Sequence, residues 1–143
     1  MLTRKPNWQS ELSEYLCAVA SMRFQYGRLD CGLFVADAIE AMTGVDTVRT
    51  LRGAYRNRTE AFTAIRALCG RATMEAAAVY LTAHYGLPEV PVLSAQRGDV
   101  VQLRHGRRSS LGIIAMHGTE ILTPYRLGIL RLPLSHATRA WRV

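Results

Sequence analysis

The run from Tyr26 to Gly44, YGRLDCGLFVADAIEAMTG, constrains this chain more than any other stretch. It spells a loop, a cap, a helix and a stop. Asp30 is a strong N-cap, because its carboxylate can accept N–H groups that the first helical turn leaves without partners. Leu33, Phe34, Val35, Ala38, Ile39 and Met42 then make a mostly apolar helix that the rest of the fold must surround. Gly44 can take the left-handed conformation that ends it. Cys31 becomes the first residue of a buried helix, where the dipole favours a thiolate. Gly32 beside it leaves room for a substrate backbone or a close partner. A cysteine in this setting is a common way to build a nucleophile. The same pattern also describes a small residue packed in a core helix.

The 143 residues allow one domain with a real core and are too few for two. No apolar run approaches the ~20 residues of a membrane span. The stretch MLTRKPNWQSELSEYL is amphipathic and carries acids, unlike a signal peptide, so folding in a reducing cytosol is expected. Cys17, Cys31 and Cys69 have neither a pairing pattern nor metal-ligand spacing. No disulfide, zinc site or cofactor is therefore expected. The net charge is +7, but the arginines are scattered, with only Arg104, Arg107 and Arg108 close together. Without a helix-turn-helix or aromatic–basic motif, nucleic-acid binding is not the expectation; a solvated basic surface or docking onto an acidic protein is.

Along the chain, Trp8, Leu12, Tyr15, Leu16 and Val19 form one stripe of a first helix over residues 8–21, with Pro6 just before it. Val45 to Arg58 is polar and basic, with a turn at Gly53, and reads as a surface loop. Asn57 with Glu60 is a capping box for a third helix closed by Gly70. Thr73 caps a fourth, closed by Gly86, with His84 in its last turn. After Pro88 the character changes. A short extended piece interrupted by Pro91 precedes a strand from Val100 to Arg104; GRRSS reads as a loop; LGIIAMHG reads as a strand buried on both faces. EILTPY, LGILRLPL and a last piece anchored by Trp141 follow. The predicted class is α+β: one domain, helical over about 1–87, with an antiparallel β-meander over about 88–143.

Three pieces together carry a resemblance: YGRLDCGLFVADAI (26–39), RGDVV (97–101) and LGII (111–114). In this order they resemble the NlpC-type cell-wall cysteine peptidases, which share the papain-like fold. With the closing Ala140-Trp141-Arg142-Val143, the chain also resembles a family of small tailed-phage proteins encoded among tail genes. The resemblance implies a cysteine nucleophile, a histidine base and a third polar residue that orients the histidine. Cys31 matches the nucleophile. The base should stand two residues before Gly112, where the chain has Ser110. A serine hydroxyl has no usable basicity near neutral pH. His105 is the candidate substitute, because it ends the neighbouring strand. His117 falls at the far end of its strand, and His136 has no argument in its favour.

Two functions follow from the resemblance. One is a structural or adaptor component of a phage tail tip or baseplate with a degenerate site. It would be made in the host cytoplasm and carried in the virion beside other tail proteins, with Arg49, Arg52, Arg56, Arg107 and Arg108 as docking residues. The other is an active endopeptidase that cuts peptidoglycan cross-links during DNA delivery, using Cys31 and His105.

Overall fold

The computed structural model describes residues 2–143. Four helices come first: α1 (Trp8–Val19), α2 (Cys31–Thr43), α3 (Arg58–Cys69) and α4 (Met74–His84). Six strands follow: β1 (Glu89–Val90), β2 (Val100–His105), β3 (Arg108–Ile114), β4 (Glu120–Tyr125), β5 (Gly128–Pro133) and β6 (Ala137–Trp141). The architecture is α+β, with N-terminal helices and one antiparallel sheet in the order β1-β6-β2-β3-β4-β5. The expected meander is present from β2 to β5. β6 departs from it by returning to pair with β2.

The caps form where short-range chemistry puts them. Asp30 Oδ1 accepts the Leu33 N–H at 2.9 Å, Asn57 Oδ1 the Glu60 N–H at 2.9 Å, and Thr73 Oγ1 the Ala76 N–H at 3.1 Å. Gly44 ends α2 at φ 80°. α2 runs through the centre of the molecule, with Phe34, Ala38 and Met42 wholly buried. Leu12 and Val19 of α1 pack against it, as do Val100, Ile113 and Leu122 of the sheet. Val101, Leu103, Ile114 and Ile121 point to the other sheet face and form a second cluster with Leu132 and Ala140. The alternation follows from the two-residue period of a strand.

Two strand boundaries differ from the sequence reading. GRRSS is not a loop: His105 pairs with Arg108, leaving a turn of Gly106 and Arg107 only. Gly106 has φ 63° while Arg107 has negative φ, which suits the hairpin turn that takes glycine first. Polarity misled the reading because this hairpin end is solvated on both sides. His117 is not on a strand either; β3 ends at Ile114, and His117 lies exposed in the turn before β4.

Gly112 is fixed by close approach rather than by dihedral angle. A Cβ there would lie 2.7 Å from the Leu122 carbonyl oxygen and 2.6 Å from Ile121 Cγ2. Asp99, immediately before β2, is fully buried. It accepts the Gln96 N–H at 2.8 Å and the Val143 N–H at 3.2 Å. It also pairs with Arg4 at 3.0 Å and Arg142 at 3.5 Å. Arg4 in turn donates to the Arg97 and Val143 carbonyls. One carboxylate thereby ties the segment before α1 to the start of β2 and the segment after β6.

Candidate functional site

The site is assembled around the start of α2. Gly27 has φ 83°, and a Cβ there would fall 2.5 Å from the Tyr55 carbonyl oxygen. Only glycine lets this loop sit against the Val45–Arg58 segment. The approach brings three donors to Asp30: the Leu33 N–H on Oδ1, the Gly27 N–H on Oδ2 at 3.1 Å, and the Tyr55 hydroxyl on Oδ2 at 2.6 Å. Burial, then the hydrogen bond and charge of Asp30, push the Tyr55 phenol far above its ordinary range, so it stays a donor. Asp30 is 5% exposed and both its oxygens are engaged. It holds the loop, the helix start and Tyr55 together.

Cys31 follows at 9% exposure, in the cluster shared by α2 and the sheet. The Ser110 hydroxyl and the Leu111 and Gly32 N–H groups face its sulfur and favour the thiolate. Burial outweighs them, Asp30 opposes them as well, and the thiol is pushed up. The expected lowering by the helix dipole is therefore overturned, because the dipole acts on a group removed from water.

Leu111 can turn its N–H to the sulfur because β3 and β4 part there. Their ladder is confined to Ile113 with Leu122 and Ile114 with Ile121. Beyond it, Thr123 Oγ1 donates to the Leu111 carbonyl at 2.9 Å and lies 3.3 Å from Ser110 Oγ. The thiol thus faces one hydroxyl and two backbone N–H groups. None is a base at neutral pH, and none can protonate a leaving amine.

Cys31 and Ser110 are brought together. His105 is not part of that group. Ser110 stands opposite Leu103, and His105 lies two residues nearer the hairpin tip, about 7 Å along the strand. Its ring packs against Tyr125 at 5.8 Å and His136 at 5.9 Å. His136 bonds through Nδ1 to the Arg104 carbonyl at 3.0 Å. His105 does line the cavity that opens beside Cys31. This cavity, of about 600 Å³, runs between α2, the segment around Val48 and Tyr55, α3 and α4. Among the described residues, no group of three or more His, Cys, Asp or Glu side chains is placed to hold a metal ion.

One residue of the site escaped the sequence reading. Tyr55 is the one aromatic in a polar, basic run, and that isolation was the available signal of a buried anchor. Thr123, one of the polar residues that the segment after Ser110 offers with Thr119 and Glu120, reaches Ser110 because β3 and β4 part.

The raised thiol sets a pH dependence. An unfolded cysteine ionises near pH ~8.5, and the folded Cys31 ionises only higher. Above ~8.5 the unfolded state binds fewer protons than the folded one, so stability falls as pH rises. Cys31→Ala removes this one contribution and leaves the buried tyrosines and the other cysteines in place. The stability lost on Cys31→Ala should therefore shrink above pH ~8.5, by up to about 1.4 kcal/mol per pH unit. Urea unfolding of both proteins at neutral and alkaline pH measures it; a gap that does not change with pH contradicts it.

Fold and site define an α+β domain with a buried cysteine beside Ser110 at the start of its central helix. The family described as "Domain of unknown function (DUF6950)" matches residues 3–143, and the chain belongs to that family. No curated protein matches it. Among the described residues, no helix is long and apolar enough to cross a membrane.

Proposed function

We propose that this chain is a structural or adaptor component of a bacteriophage tail tip or baseplate, built on a papain-like, NlpC-type fold and catalytically silent. One observation carries the silence: the group facing the Cys31 sulfur from β3 is the Ser110 hydroxyl, not a base, and burial pushes the thiol up. The order of helices before sheet, and a helix-start cysteine packed on that sheet, support the scaffold. Phage assignment and virion location rest on the sequence resemblance. Arg49 and Arg56 are exposed and suit docking onto acidic protein, since guanidinium pairs bidentately and also packs. Arg52 leaves the expected docking set, because it already pairs with Asp37, Asp46 and Glu40.

The second reading is an active endopeptidase in which His105 serves Cys31. Its support is that both residues line one cavity. Quantitative mass spectrometry of purified particles tests the adaptor role. The chain is expected at a fixed copy number in particles, unchanged by Cys31→Ala. Its absence from assembled particles would overturn the role.

A further inference from the structure

The cavity beside Cys31 has a composition that neither reading explains. Its inner wall is made by α2, α3 and α4, and small residues keep it open: Ala36, Ala61, Ala77 and Ala78 stand where larger side chains would fill it. Its volume of about 600 Å³ falls within the ~300–1,000 Å³ of sites that hold small molecules. The polar groups on that wall are already engaged. Asp30 accepts three donors, and Thr82 donates to the Ala78 carbonyl at 2.7 Å.

Four exposed arginines also line it: Arg58, Arg107, Arg108 and Arg126. Among the described residues, none of the four pairs with an acid, whereas Arg4, Arg52, Arg131, Arg139 and Arg142 all do. Among the described residues, the only carboxylate on the lining is Asp30, which is buried and engaged. The mouth is therefore cationic and the interior apolar.

We infer that the cavity binds a single-chain acyl carboxylate, with the chain between α2 and the α3–α4 pair and the head group on the arginines. A peptide is the poorer occupant. Its backbone N–H and C=O groups would enter a wall whose helices are hydrogen-bonded internally, at about 1–3 kcal/mol for each group left unpaired. An alkyl chain has no such groups. This inference goes beyond the adaptor reading and does not rest on it, since it needs neither a silent nor an active Cys31.

The test is displacement of anilinonaphthalene sulfonate from the whole chain by dodecanoate, dodecanol and dodecyltrimethylammonium, each below its micelle concentration. Dodecanoate should bind saturably at one per chain, about tenfold or more tighter than dodecanol, as charge-assisted contacts to arginine predict. The cationic amphiphile should be weakest. Arg107→Glu with Arg108→Glu, both at the exposed hairpin tip, should remove that advantage over dodecanol without changing the melting temperature. Ala77→Leu should weaken both dodecanoate and dodecanol; if it does not fold, the arginine pair decides alone. Equal binding of dodecanol, indifference to the arginine reversal, or no saturable binding would overturn the inference. So would displacement by a leucine-containing acidic peptide but not by dodecanoate, which would give the cavity to a protein partner.

Discussion

Asp99→Ala should lose about 3–5 kcal/mol of stability, the usual cost of removing one member of a buried ion pair. Asp99 is fully buried, while Arg4 is 20% exposed and Arg142 40% exposed. Arg4 therefore carries most of the pairing, and Arg142, more exposed and at 3.5 Å, adds less. The substitution also strips acceptors from the Gln96 and Val143 N–H groups, so backbone is left unpaired together with charge. Arg4→Met should cost less than Asp99→Ala, because Asp99 keeps its two backbone donors. Urea unfolding read by tryptophan fluorescence is suitable, since Trp8 lies under Arg4 at 4.1 Å and Trp141 is buried in the sheet. A loss below about 1 kcal/mol for Asp99→Ala would show that the network is not structural in the way described.

Asp30→Ala should cost about 2–5 kcal/mol. Loss of an N-cap accounts for about 0.5–2 kcal/mol. The Tyr55 hydroxyl, left buried without its acceptor, adds about 1–3 kcal/mol. Asp30→Asn should be milder, because asparagine still caps a helix through its carbonyl oxygen. Tyr55→Phe removes the orphaned hydroxyl, so the double variant Asp30→Ala with Tyr55→Phe should be less destabilised than the sum of the singles by about 0.5–3 kcal/mol. Strict additivity would mean that the 2.6 Å contact between Tyr55 and Asp30 carries no coupling.

These two carboxylates also show what was legible in the sequence. The cap of α2 was readable, because Asp30 and Leu33 are three residues apart and helix ends obey local rules. Gly44, Asn57 and Thr73 were readable for the same reason. Tyr55 binds Asp30 from 25 residues away and Arg4 binds Asp99 from 95 away, and no periodicity encodes such pairings. The burial of Cys31 was predicted from the apolar helix that follows it. Its raised thiol was not, because the helix dipole is a local property while desolvation depends on how the sheet packs on the helix start. The cavity was likewise invisible: alanines on three helices read as ordinary helix formers until the helices are seen to face one another.

On the proposed adaptor role, the Cys31 site does not turn over peptide bonds. General acid–base help is typically worth about 10²–10⁴-fold, and the Ser110 hydroxyl facing the thiol supplies none of it. The direct measurement is digestion of purified muropeptides by wild type, Cys31→Ala and His105→Ala, followed by chromatography and mass spectrometry of the products. Wild type is expected to yield no product above the level of Cys31→Ala. Cleavage by wild type that both substitutions abolish would contradict it and establish Cys31 and His105 as a working pair.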